Sequence, residues 1–217
     1  MKRDEVIMHP EIRHILRDMQ TGDWLAVYSK GLYGFGIRHM LSRGRHRCIT
    51  NHNAPCWRTD SGTPMMLQIA PPKARTLPLC VYLTDLYAKG GKAILLRPDA
   101  YKRPYGGDER RFNQALCWLT EEWKSFDGIP YDKASILEIA KMYLRLSGHK
   151  ADNDKTRIYC TEGTFYPYAN NPFVPWTPDI LVNESFPAPI HAEHLIRQER
   201  VEFVAGAEDM YKKIMES

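Results

Sequence analysis

The chain has 217 residues, 43% of them hydrophobic and 26% charged, with 30 basic and 26 acidic side chains for a net charge of +4. That length suits a single domain with a sizeable core, and so small a charge excess gives no reason to expect a nucleic-acid partner. No stretch approaches the ~18 consecutive apolar residues of a transmembrane helix. No apolar signal segment follows Met1-Lys2-Arg3-Asp4-Glu5, and an odd cysteine count of five points to reduced thiols in a cytoplasmic setting.

Pro10 to Met19 places Ile12, Ile15, Leu16 and Met19 on one helical face. Thr21-Gly22-Asp23 ends that helix, and Trp24 to Tyr28 reads as a strand. Gly31, Gly34 and Gly36 open a loop, and their spacing is not that of a nucleotide fingerprint. Ile37 to Leu41 reads as a brief helical turn. Arg43, Arg45, His46 and Arg47 form a solvated basic loop or a rim that attracts an anionic substrate. A strand over Ala54 to Trp57, a turn at Thr59 to Thr63 and a strand over Met65 to Ala70 make a hairpin. Leu79 to Leu83 is a further apolar segment after Pro78, and Ala93 to Leu96 reads as a buried strand. The first hundred residues therefore read as mostly strands.

The next fifty differ. Asp108 to Lys124 sets Phe112, Ala115, Leu116, Leu119 and Trp123 on one face, and Ala134 to Leu146 is a second patterned helix stopped by Gly148. A polar loop from His149 to Thr156 leads into Arg157-Ile158-Tyr159-Cys160-Thr161-Glu162, where Cys160 opens a short helix. Gly163 and Pro167 limit that helix to one or two turns. A proline-rich wrap follows, then a strand over Val201 to Val204 and a terminal helix or tail over Glu208 to Met215.

Three chemistries compete. In the first, Cys160 is a nucleophile. A helix N-terminus offers unpaired N–H groups and positive partial charge that favour a thiolate and can hold an oxyanion. The thiol needs an imidazole to take its proton and a third polar group to orient that imidazole. His52, at the start of one hairpin strand, and Gln68, polar within the apolar run of the next, fill those roles if the hairpin sets them side by side. Glu162 and Tyr166 are weaker candidates, for a helix-end contact and for a pocket wall or oxyanion donor. In the second, His46, Cys48, His52 and Cys56 bind zinc, although their spacing matches no familiar finger. In the third, Glu121, Glu122, Asp132 and Glu162 act as paired carboxylates, but their spacing does not converge and surface charge accounts for them better. A lone cysteine in a reduced interior is also, by default, a small hydrophobe.

The order of these pieces resembles the circularly permuted papain-like cysteine hydrolases of the NlpC-type superfamily, in the branch of YiiX-like and YaeF-like proteins. The resemblance runs over residues 20 to 182. It rests on Gly22-Asp23 entering a strand, Asn51-His52, Gln68 in Leu67-Gln68-Ile69-Ala70, Tyr82-Leu83 and Ile94-Leu95-Leu96-Arg97. It continues through the Gly128-to-Asp132 turn, Cys160-Thr161-Glu162 and Thr177-Pro178-Asp179-Ile180-Leu181. His46 competes with His52 for the histidine position, and Gln68 stands where the family often has Glu.

The resemblance implies an α+β, permuted papain-like fold: an antiparallel sheet or barrel packed against helices, with Cys160 facing His52. It implies one domain over 1–217, with a core at about 20–182 and a C-terminal extension over 183–217. The implied reaction is hydrolysis of an amide or related acyl bond in a peptide, peptidoglycan fragment or lipid, with no cofactor. A cytoplasmic protein, or one released by lysis or delivered by a phage particle, fits the missing signal segment. A non-catalytic binding module and a zinc-stabilised interaction protein are the other readings.

Overall fold

The structure, a computed structural model, describes residues 8–30, 49–102, 107–133, 157–158, 160–176 and 189–216. Its centre is a six-stranded antiparallel sheet. The strands are β1 (Asp23–Tyr28), β2 (His52–Arg58), β3 (Pro64–Ala70), β4 (Lys73–Pro78), β5 (Lys92–Pro98) and β6 (Val201–Gly206). They lie in the order β4-β3-β2-β1-β5-β6. Helices cover both faces. On one are α1 (Pro10–Asp18) and α2 (Leu79–Ala88). On the other are α3 (Glu109–Ser125), α4 (Cys160–Ala169), α5 (Pro189–Arg197) and α6 (Glu208–Met215).

Strand alternation divides the core. Trp24, Trp57, Leu67, Ile69 and Leu96 meet Ala115, Leu119 and Trp123 of α3 and Phe165 and Tyr168 of α4. Leu25, Val27, Cys56, Met66 and Leu95 meet Ile12 and Ile15 of α1 and Leu79, Leu83 and Leu86 of α2. With both faces covered, β1 and β5 are apolar along nearly their whole length, which is why they read as continuous runs.

The strands expected over Trp24–Tyr28, Ala54–Trp57, Met65–Ala70 and Ala93–Leu96 are present. So is the helix after Asp108, whose side chain accepts the Arg111 N–H as N-cap. Several elements depart from expectation, among them α5, a helix within the stretch read as a proline-rich wrap. The segment begun by Leu79 is a helix, with Leu79, Leu83 and Leu86 buried at helical spacing. Residues 73–78, unassigned in the sequence reading, form β4, an edge strand with only Ala74 fully buried. The C-terminal stretch is built into the fold. β6 pairs with β5, and Ala192, Leu195, Ile196, Met210 and Ile214 belong to the larger core. The helix expected over 134–146, the glycine loop, the basic rim and the Thr177–Leu181 motif lie outside the described residues.

Candidate active site

β1 pairs with β2 from Asp23↔Cys56 through Val27↔His52. The β2–β3 ladder is shorter, running only over Arg58↔Pro64, Trp57↔Met65 and Cys56↔Met66. Both strands continue beyond it, so they part as they approach His52 and Gln68. A local cause lies in the chain. The Cys56 carbonyl accepts the Gly22 N–H on the β1 side. By alternation Pro55 and Asn53 turn their backbone nitrogens towards β3, and Pro55 has no N–H to offer. The Asn53 N–H serves another partner: it lies against the sulfur of Cys160.

Cys160 is the first residue of α4 and is 2% exposed. The backbone N–H groups of Thr161 and of Cys160 itself also lie against its sulfur, as does the Thr161 hydroxyl, which has no other partner among the described residues. This is the helix-end cluster of donors expected from the sequence. It does not produce a resting thiolate, because burial outweighs those donors and pushes the thiol up to about 11.

His52 and Gln68 share a cavity of about 220 Å³ with Cys160. Its wall includes Ser29, Asn51, Ile69, Tyr82 and Tyr131, and its rim carries Lys30, Asp85 and Lys89. The His52 Nε2 atom is buried without a hydrogen-bond partner among the described residues. Burial drives the imidazole down to about 4. Both members of the pair are therefore neutral between those values.

Gln68 reaches the same cavity but makes no hydrogen bond to His52. Continuing the ladder register would set Gln68 opposite Ala54 and His52 opposite Ala70, so the side-by-side arrangement expected of a regular hairpin is replaced by an offset across the parted strands. Glu162 and Tyr166 line a different cavity, with Trp118, Phe126 and Arg157. An α-helix turns roughly 100° per residue, so side chains two and six positions after Cys160 point about 200° and 240° away from it. This corrects the assignment of Tyr166 to the Cys160 pocket.

Three further residues shape the site: Asn51 and Tyr82 stand in the sequence motifs with no role attached, and Glu193 stands in none. Asn51 is buried, and its Oδ1 accepts the Ser29 N–H at 3.0 Å while its Nδ2 donates to the Ser29 carbonyl at 3.0 Å. Tyr82 enters because Leu79–Ala88 is a helix, and burial beside Cys160 and Cys56 raises its hydroxyl well above the ordinary range. Glu193, on α5, reaches the segment that leads into β2, at Ile49 and Thr50. Of the zinc candidates, His46 and Cys48 lie outside the described residues, and no group of three metal-ligating side chains occurs among the described ones. No described helix is long and apolar enough to cross a membrane.

α4 approaches the sheet through Gly163. A β-carbon there would stand 2.2 Å from Ile69 Cδ1 and 2.8 Å from Ile158 Cδ1. Both isoleucines are buried, so neither can swing into solvent. Gly163→Ala is expected to destabilise the protein by about 1–3 kcal/mol through overpacking. Urea denaturation measures this, and an unchanged midpoint would refute the contact.

Comparison with protein-family models and with curated protein sequences finds no match.

Proposed function

We propose that this protein is a cysteine hydrolase that cleaves an amide or related acyl bond, with the permuted papain-like arrangement of the NlpC-type superfamily. One observation carries the reading. Cys160 at a helix N-terminus and His52 at a strand end, far apart in sequence, line one cavity together with Gln68. The helix-covered antiparallel sheet supports it, as does the ring of N–H donors around the sulfur.

The neutral resting pair sets the order of events. His52 Nε2 takes the thiol proton as sulfur attacks the acyl carbonyl carbon, and the carbonyl oxygen gains the negative charge. N–H groups at the start of α4 stabilise that oxyanion. The intermediate collapses to a thioester as the imidazolium returns the proton to the departing amine or alkoxide. Water, deprotonated by His52, then hydrolyses the thioester and restores the thiol. Gln68 orients His52 once a side-chain rotation brings its amide to the ring. Its neutral oxygen steadies the imidazolium less than a carboxylate would. Substrates of this site are peptides, peptidoglycan fragments or lipids with a carbonyl slim enough for the cavity. The unpaired cysteines found among the described residues fit a reducing, cytoplasmic compartment.

A second reading, a binding module that keeps the fold without turnover, draws on the depth and high proton affinity of Cys160. Acylation by p-nitrophenyl acetate separates the two. The hydrolase should release p-nitrophenol in a stoichiometric burst and carry the acetyl group on Cys160, as peptide mass spectrometry would show. Cys160→Ala should abolish the burst, and His52→Ala should slow it about 100-fold, the size of a general-base contribution. Acetylation confined to the exposed Cys117 would leave the binding module.

A further inference from the structure

Glu193 is only 3% exposed, yet it belongs to α5, more than 140 residues after the segment it touches. Its Oε1 accepts the N–H of Ile49 at 2.5 Å and that of Thr50 at 3.2 Å. Among the described residues, the cation beside it is Arg197, 4.0 Å from its other oxygen. Burying a carboxylate is unfavourable unless it is well hydrogen-bonded, so the side chain is held by the backbone it holds. The chain then runs directly from Thr50 through Asn51 to His52. The Asn51 N–H donates to the Val27 carbonyl at 2.8 Å, and the Asn51 side chain is doubly bonded to the Ser29 backbone. Two clamps thus act on the lead-in to His52, one from the end of β1 and one from α5.

We propose that Glu193 is a positioning residue for the His52 base, fixing the backbone from which the imidazole enters the Cys160 cavity. This rests on the hydrolase reading of that cavity. Among the described residues, His52 Nε2 has no hydrogen-bond partner, and Gln68 is not bonded to it. Its ring direction is therefore set by the backbone and by packing, and the Glu193 carboxylate is the strongest hydrogen-bonding group on that backbone. α5 accordingly belongs to the site, although none of its described residues lines the cavity.

The test compares Glu193→Ala, Glu193→Asp and Glu193→Gln in the full chain, using p-nitrophenyl acetate with Cys160→Ala as background. Glutamine keeps the length and one acceptor oxygen and should stay within about threefold of wild type. Alanine removes the clamp and aspartate draws it back by a methylene. Both should lower the maximal acylation rate about 10- to 100-fold, the penalty of misplacing a catalytic group by an ångström. The half-saturating ester concentration should change less than about twofold, since Glu193 does not touch the cavity. If alanine fails to fold, aspartate and glutamine still decide. Equal rates for aspartate, glutamine and wild type would overturn the inference. A burst that survives Cys160→Ala would instead remove the hydrolase reading beneath it.

Discussion

Arg97→Met is expected to destabilise the protein by about 3–5 kcal/mol at pH 8, the penalty of stranding one partner of a buried ion pair. Arg97 Nε and Nη2 donate to the two Asp23 oxygens at 2.7 and 2.9 Å. The Asp23 side chain is 1% exposed and that of Arg97 14%. The Gln20 N–H gives Asp23 a further bond at 2.8 Å, and Arg97 also reaches the Asp18 carbonyl. The pair therefore ties β1 to β5 and to the end of α1. Without the guanidinium, Asp23 keeps one backbone donor and a low-dielectric surround.

The loss should depend on pH with a definite sign. Burial already holds the Asp23 carboxyl above the ordinary carboxylate range, with Arg97 and the Gln20 N–H pulling the other way. Removing Arg97 leaves burial less opposed. A carboxyl whose pKa is higher folded than unfolded takes up its proton first in the folded state. Stability is then gained as pH falls and lost as pH rises through the folded value. The deficit of Arg97→Met should therefore shrink between pH 8 and pH 5, as urea midpoints would show. Adding Asp23→Leu should restore much of the loss, because no charge is left stranded. A deficit below 1 kcal/mol that ignores pH would contradict the account. Asp23 pairs in register with Cys56, at the other end of β1 from the Val27↔His52 pair, so the acylation rate of Cys160 in folded protein should not change.

The Asp23 pair also shows what the sequence could reveal. Gly22-Asp23 was legible as a motif at a strand start. Its purpose was not, because Arg97 is a contact of the folded chain. Gly22 adopts φ +93 and its carbonyl accepts the buried Tyr168 hydroxyl at 2.9 Å, so this corner joins the sheet to α4. The central strands were legible because burial on both faces makes them apolar throughout. The helix beginning at Leu79 was not, since five apolar-rich residues after a proline suit either state and only Leu86 completes the helical spacing. β4 was missed because an edge strand buries so little. α4 was expected to be short, but it runs through Pro167 to Ala169, held by the packing of Phe165 and Tyr168 against Trp24, Trp123 and Trp176. At the site, the residue types of Cys160, His52 and Gln68 were legible. Their offset was not, because the parting of β2 from β3 depends on how far a ladder extends. Glu193 was invisible, since it follows Pro187 and Pro189 in a stretch that reads as a surface wrap, where a glutamate reads as solvated.

His52 gives the other large effect. An imidazole held near 4 in the folded protein, against its ordinary 6.5, is protonated in the unfolded chain long before it is protonated in the native one. A depressed folded value means that stability is present above pH 6.5 and is lost as pH falls towards 4. The size is on the order of 3 kcal/mol, from about 2.5 pH units at 1.36 kcal/mol each. Other groups titrate in the same window, among them Asp23 and Glu193, whose burial raises them and acts with the opposite sign. The measurement is therefore a difference: urea stability of wild type minus that of His52→Gln, at pH 7 and at pH 4.5. Glutamine removes the imidazole from both states and leaves the carboxyls in place, so the wild type should lose about 2–3 kcal/mol more than the variant. The same depression fixes the kinetics. His52 accepts a proton only while neutral, so the burst rate should hold down to about pH 5 and fall with a limb near 4. A limb at 6.5, with equal acid sensitivity of the two proteins, would mean a solvated imidazole. The neutral pair of the mechanism would then form only above pH 6.5, where such an imidazole sheds its proton.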